Sequence, residues 1–216
     1  MQDISTFLED MKASPYEEVI VRAPHTGVVH FTAPAVGTRV LGASGEWGER
    51  PGTPLAVLTR EHNPKNIAAP QKGELRCVHT ELEGKFVDAG TVLAEIRHFL
   101  SREEVITRLL RHALSLFNAP ERAKYFFTPT IDAKVKASGC RSVHVQHGME
   151  LFIMSRMKRE TPVYYTGPSG IIYSVYFTHS ENVDAGSPLI GVCPADQVSA
   201  VEDMVLRVQT EWKENE

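Results

Sequence analysis

Lys158 is the residue of this chain whose neighbours in the sequence first suggest a reaction. It stands in "SRMKRET" (155–161), directly after Met157, and Arg156 and Arg159 flank the Met-Lys pair. A lysine amine that has lost its proton is a nucleophile and forms an amide with an activated carboxylic acid. Because most lysines are solvated surface charges, the case for Lys158 depends on the elements that position it.

The histidines and cysteines give weaker signals. His144 and His147 lie in "HVQH", and strand spacing places them on opposite faces, which argues against a shared metal. His62 has no partner carboxylate in its motif, so we expect it to be a solvated turn residue. The three cysteines are far apart and form no CxxC pair, which predicts reduced thiols that are buried as small hydrophobes: Cys77, Cys140 and Cys193.

The composition excludes several classes of protein. The formal net charge is -4, and no block of basic residues occurs, so nucleic acid is not an expected partner. The start of the chain has neither a basic segment nor an apolar one, and no run of 18 apolar residues is present. The sequence therefore predicts a cytoplasmic protein without a membrane segment.

The elements that must position Lys158 are mainly strands. Short β-branched runs with Gly and Pro between them fill 19–96 and 125–193, which predicts hairpin-rich β-structure in both segments. Helical spacing predicts three helices. One covers 2–12, one covers 101–117 with a capping box at Ser101 and Glu104, and one lies in 195–216.

The two β segments resemble each other. "GKFVDAGTVLAEI" (84–96) and "SENVDAGSPLIGV" (180–192) share Val-Asp-Ala-Gly and the strand after it. Each segment also contains a half-repeat of Pro, turn and strand. The half-repeats begin at "APHTGVV" and "APQKGEL" in the first segment, and at "TPTIDAKV" and "GPSGII" in the second. We expect the turn glycines to have a positive φ.

Both segments resemble biotinyl/lipoyl attachment domains, in which a tight hairpin of a flattened antiparallel β-barrel presents one lysine for biotin or lipoate. The resemblance implies a mainly β fold with two tandem barrels of the barrel-sandwich hybrid type, a connecting helix and a C-terminal helix. The implied boundaries are an N-terminal helical segment at 1–17, a first domain at 18–98, a linker helix at 99–123, a second domain at 124–194 and a helix at 195–216.

The spacing around the two hairpin tips is similar to that of the family. Lys158 follows Gly148 by ten residues, and Gly170 comes twelve residues later, one more than the family pattern. Asp132 stands where the family has its first turn glycine. "SRMKRET" resembles the Ala-Met-Lys-Met motif of biotin-dependent carboxylases, with arginines replacing the alanine and the second methionine.

The first segment departs from the pattern at its tip. Ten residues after Gly52 the lysine position holds His62, which cannot form the amide, and Lys65 lies out of register. We therefore interpret this segment as a degenerate copy. An insertion between Gly27 and Gly52 that includes "HFTAPAVGTR" resembles the protruding thumb of acetyl-CoA carboxylase carrier domains.

The resemblance implies a carrier without catalytic residues. A biotin ligase would attach biotin to Lys158 beside Met157, and partner carboxylase and carboxyltransferase subunits would load and unload it. The chain itself contains no P-loop, no segment of ATP-grasp size and no G-x-S-x-G motif. Two alternatives stay open: an unmodified adaptor or scaffold that binds partner subunits, and a lipoyl carrier.

Overall fold

A computed structural model describes residues 4–45, 49–178 and 181–214. The chain divides into two compact units. The first unit is Met11–Ser101, and the second is Arg102–Lys213 together with the chain up to Asp10. Each unit contains two four-stranded antiparallel sheets.

The described part of the first unit contains eight strands. They make two four-stranded sheets in the orders β1-β8-β6-β3 and β5-β4-β2-β7. The strands are β1 (Tyr16–Arg22), β2 (Gly27–Phe31), β3 (Arg39–Val40), β4 (Pro54–Arg60), β5 (Asn63–Ala68), β6 (Gly73–Val78), β7 (Phe86–Val87) and β8 (Val92–Phe99). A 3-10 turn covers Thr80–Leu82.

The second unit repeats this strand order. Its sheets run β9-β16-β14-β11 and β13-β12-β10-β15, so each strand has the position of the strand eight numbers earlier. The strands are β9 (Ser115–Asn118), β10 (Ala123–Phe127), β11 (His144–Val145), β12 (Glu150–Arg156), β13 (Arg159–Tyr164), β14 (Gly170–Val175), β15 (Asn182–Val183) and β16 (Pro188–Cys193). The same topology is therefore built twice from different side chains.

Four helices lie outside the sheets of the described chain. They are α1 (Ile4–Ala13), α2 (Arg102–Ala113), α3 (Pro129–Ser138) and α4 (Val198–Glu211). Val105 and Leu109 of α2 and Val201 and Val208 of α4 are buried, and α2 and α4 are in contact. Residues 2–3 and 215–216 of the predicted terminal helices lie outside the described residues. No helix in the described chain has the length and apolar character needed to span a membrane.

Alternation of side chains places the core between the sheets of each unit. In β10, Ala123, Tyr125 and Phe127 are buried and Lys124 is exposed, which is the period of two expected for a strand with one solvated face. The first unit has an aliphatic core that includes Val29, Leu58, Leu75 and Ile96.

The core of the second unit contains a cluster of aromatic rings. Phe152 is 0% exposed. Its ring is parallel to that of Phe117 with centroids 6.0 Å apart and stacks on Phe127 at 5.1 Å. Tyr125 and Phe177 contact the same ring edge-on. Such rings bury large areas and prefer these offset and edge-on geometries, so Phe152 fixes β12 within its sheet.

The glycines of the half-repeats have a different role from the one expected. Gly27, Gly73 and Gly170 do not have a positive φ. A Cβ atom at each would instead collide with a backbone carbonyl, that of Thr59, Arg97 or Cys193. The prediction of a positive φ was wrong at these positions because close approach of strands is what requires glycine there. In the Val-Asp-Ala-Gly turns, Gly90 and Gly186 do have positive φ values of 88° and 82°.

The predicted helix over 101–117 is too long. Helix α2 ends at Ala113, and Ser115–Asn118 forms β9, which pairs with β16. The apolar residues of this stretch fit the helix period as well as the strand period. Pairing with β16 and the packing of Phe117 against the core favour the strand. The predicted linker helix at 99–123 therefore contains a strand of the second unit.

The predicted strand at "TPTIDAKV" is also wrong. This stretch forms α3, with Pro129 in the first turn, where its fixed φ suits a helix. Asp132 occupies no turn-glycine position, and its carboxylate pairs with Lys136 one helical turn later at 2.6 Å. A helix at this point was not expected from the family spacing.

The long connections differ between the units. Only 32–38 separate β2 from β3, whereas 128–143, including α3, separate the corresponding β10 and β11. The extra length of the first unit lies in 41–53, between β3 and β4. The insertion predicted around "HFTAPAVGTR" is therefore displaced toward the next connection, part of which (46–48) lies outside the described residues.

We expect Gly73→Ala and Gly170→Ala each to destabilise the protein. The added methyl group would push β6 away from β8, or β14 away from β16, at a cost of about 1–3 kcal/mol. Urea denaturation followed by circular dichroism measures the loss. Gly186→Asn is the control, because its Cβ would meet open space and asparagine tolerates a positive φ. Equal losses for all three variants would contradict the close-approach explanation.

Candidate functional site

Lys158 lies at the tip of the hairpin formed by β12 and β13. Arg156 pairs with Arg159, and the two residues between them, Met157 and Lys158, have φ values of 48° and 62°. Two central residues with positive φ define the type I′ turn, whose twist suits a two-residue hairpin. Both tip side chains are exposed to solvent, and Met157 is 87% exposed.

The strand before the tip is held firmly in the second unit. β12 lies inside its sheet and pairs with β10 on one side and β13 on the other. Leu151 and Phe152 of this strand are both 0% exposed. Only the last residues before the turn leave the core, so the backbone position of Lys158 follows from the packing of Phe152.

A second set of contacts holds the base of the tip. Arg156 and Arg159 face each other, and like charges in directly opposed positions repel. The carboxylate of Glu121, from the loop between β9 and β10, forms an ion pair with Arg156. Since both partners are about half exposed, this pair adds at most about 1 kcal/mol of stability. Its main effect is to orient Arg156.

Tyr125 keeps Glu121 in place. Its hydroxyl donates a hydrogen bond to the Glu121 carbonyl oxygen at 2.7 Å and accepts one from the Glu121 amide at 3.3 Å. Burial raises the pKa of Tyr125, so the hydroxyl keeps its proton at neutral pH. Tyr125 in the core is thereby connected, through Glu121, to Arg156 directly before the Met-Lys pair.

The hairpin of β4 and β5 in the first unit has the same turn. Arg60 pairs with Asn63, and Glu61 and His62 have φ values of 49° and 66°. His62 therefore has the position that Lys158 has in the second unit. It is exposed, as the sequence predicted. Lys65 lies within β5, opposite Leu58, and not at the tip.

Both tips place residues other than glycine or asparagine in the left-handed region. This conformation costs about 1–2 kcal/mol for each such residue. Strained backbone of this kind persists where the surrounding structure enforces it, and it is concentrated at functional positions. The turn is kept in both units although the tip side chains differ.

The other sequence candidates do not form a site. His144 is exposed in β11, and Nδ1 of His147 lies 3.1 Å from the carbonyl oxygen of Thr166. No group of three metal-binding side chains exists within 4–45, 49–178 and 181–214.

The three cysteines are free thiols, as predicted. Cys193 is buried, and burial raises its pKa. Cys77 and Cys140 are half-buried, so full burial was predicted correctly for one thiol of the three.

Sequence reasoning did not find Glu121 and Tyr125. Glu121 lies 35 residues before its partner Arg156, and no local pattern connects the two. Their only signal is the four-residue separation of Glu121 and Tyr125 at a strand entrance, which many charged and aromatic pairs share.

No protein-family model matches this chain, and no curated protein matches it.

We expect His62→Gly to stabilise the protein by about 0.5–1 kcal/mol. Glycine adopts the left-handed conformation without strain, and this gain exceeds its larger entropy loss on folding. The free energy of unfolding in urea measures the change.

Lys65→Gly is the matched control in the adjacent strand. Its expected effect has the opposite sign, a loss of about 0.5–1 kcal/mol, because glycine weakens strand interiors. A destabilising His62→Gly would argue against the strained turn.

Proposed function

We propose that this chain is a biotin carrier protein in which Lys158 is the attachment site. The observation that carries the proposal is the position of this lysine, at the second central residue of an exposed two-residue hairpin. The resemblance of "SRMKRET" to the Met-Lys motif of biotin-dependent carboxylases supplies the cofactor. The two tandem units would then be biotinyl-type barrels, and their shared strand order supports this.

The attachment reaction needs an accessible amine and a fixed backbone. The Nζ of Lys158 would attack the activated carboxyl carbon of biotin, form the amide bond, expel the activating group and release a proton. A biotin ligase supplies the activated biotin. The exposed neighbour Met157 gives that ligase an apolar contact beside the amine.

To carry the carboxyl group between two active sites, biotin must be attached through a long tether to a fixed point of the backbone. The lysine stem and the biotin chain would form a flexible tether, and the buried part of β12 would fix its starting point. Partner carboxylase and carboxyltransferase subunits would carry out the two reactions. The net charge and the lack of a basic block support protein partners over nucleic acid.

The first unit would have no attachment function. The tip residue His62 cannot form the amide, and the tip contains no lysine. We therefore assign it a structural or binding role. Because ligation consumes ATP, we place the carrier in the cytoplasm, and the three free thiols agree with a reducing compartment.

An unmodified adaptor is the second candidate function. The observation that favours it is the pair of arginines at the base of the tip, Arg156 and Arg159, where carboxylase motifs have small or apolar residues. In this alternative the duplicated units bind partner subunits and Lys158 remains a free amine. Lipoyl attachment is the third candidate, since it uses the same kind of hairpin.

The mass of the intact protein separates these candidates. After co-expression with a biotin ligase, we expect the full chain to gain one biotinyl group, whereas Lys158→Arg gains none. Lys65→Arg is the matched control, because it removes a lysine of the corresponding hairpin in the first unit and should still be biotinylated. A gain only with a lipoyl ligase would establish the lipoyl carrier, and no gain with either ligase would favour the adaptor.

Grafting the Met-Lys pair onto the first tip tests whether turn geometry is sufficient for ligation. We expect Glu61→Met combined with His62→Lys to raise the mass gain from one biotinyl group to two, because the backbone turn is the same. The double variant in a Lys158→Arg chain should carry one group on the new lysine, located by peptide mapping. A graft that stays unmodified would mean that residues beyond the turn direct the ligase.

A further inference from the structure

A groove of about 570 Å³ opens at one edge of the first unit. It lies where the short strand β3 borders β6, and its volume is within the range of small-molecule sites. Its walls combine apolar and charged side chains. The principal ones are Arg39, Val40, Leu41, Lys72, Glu74 and Phe99.

The backbone on both sides of the groove is fixed. Arg39 pairs with Glu74 and Val40 with Gly73 in the β3–β6 ladder. The Leu41 amide donates a hydrogen bond to Oγ1 of Thr53 at 2.9 Å. These contacts hold the wall formed by β3 and the residue that follows it.

His98 contacts the backbone of the opposite wall, the turn that carries Lys72. It is 3% exposed, and its Nδ1 lies 2.7 Å from the carbonyl oxygen of Lys72. The carbonyl of Arg97 approaches Gly73 so closely that no Cβ fits there. The turn that carries Lys72 therefore cannot shift without breaking buried contacts, and the groove is preformed.

Apolar surface is exposed in this groove. Leu41 is 70% exposed, and Phe99 is only partly covered. Covering apolar surface releases roughly 25 cal/mol for each Å² removed from water. A ligand with an aliphatic or aromatic part would gain this energy on the Leu41–Phe99 wall.

Among the described residues that line the groove, Arg39 and Lys72 are cationic and one residue is anionic. Its carboxylate, Glu74, is engaged by Arg76 at 3.3 Å and lies across the ladder from Arg39. Lys72 is exposed and forms no ion pair within the described residues. On the neighbouring strand Arg97 lies opposite Glu74 in the ladder, and its guanidinium stacks on the ring of Tyr16 at 4.2 Å. Lys72 is thus placed to accept an anionic group.

We propose that this groove binds a small amphipathic anion, a carboxylate with an aliphatic or aromatic tail. The carboxylate contacts Lys72, and the tail lies against Leu41 and Phe99. This site is independent of Lys158 and of any modification there. It gives the first unit, whose hairpin tip has no lysine, a ligand-binding role of its own.

Titration of the full chain with octanoate tests this site. We expect saturable binding in calorimetry, and in ¹H–¹⁵N spectra shifts of Gly37, Leu41, Lys72 and Gly73 amides. Lys72→Glu should weaken binding about tenfold or more, the effect of about 1.4 kcal/mol from one charged contact. Lys65→Glu, the same change on an exposed strand of the same unit, should leave it unchanged.

Two further measurements separate charge from the apolar tail. Octylamine has the same tail with the opposite charge and should bind at least tenfold more weakly than octanoate. Leu41→Gln should weaken octanoate while leaving the urea midpoint unchanged, because Leu41 is exposed. Equal binding of the two amphiphiles, equal effects of Lys72→Glu and Lys65→Glu, or no saturable binding would overturn the proposal.

Discussion

The burial of Phe152 is the interaction on which the geometry of the candidate site depends. Four aromatic rings surround it, and it lies four residues before Arg156 in a strand paired on both sides. Because side chains alternate along a strand, a slip of one residue would remove Phe152 from these aromatic contacts and invert the direction of the side chains up to the turn. The core therefore determines both the register of the hairpin and the residues that occupy its tip.

The two units share a topology but present different functional groups at their hairpin tips. Their strand orders and two-residue turns correspond, yet one tip presents a primary amine and the other an imidazole. The described buried residues of the first core are aliphatic, whereas the second core adds aromatic side chains such as Phe152 to its aliphatic ones. Such a topology can tolerate large changes in side-chain volume as long as glycine remains where two backbones approach, as at Gly73 and Gly170.

Local patterns predicted the parts of the molecule that depend on local forces. Short β-branched runs between Gly and Pro identified most long strands, whereas the position of Lys158 at a tip came from the family resemblance. The errors arose where the same residues fit both the helix period and the strand period, or where a residue distant in the sequence determines the local structure. Ser115–Asn118 became a strand because β16 pairs with it, and the contact between Glu121 and Arg156 joins residues that no local pattern links. The role of Gly170 was missed for the same reason, since the carbonyl it accommodates belongs to Cys193.

The pairing of first and last strands has a consequence for synthesis on the ribosome. In the first unit Tyr16 pairs with Phe99, and in the second Ser115 pairs with Val192, so each sheet is completed only when its final strand has emerged. Contacts between residues so far apart in sequence slow folding, and until closure each nascent unit has an unsatisfied edge. Because the first unit can close before most strands of the second exist, the order of translation itself reduces the chance that the two like topologies exchange strands.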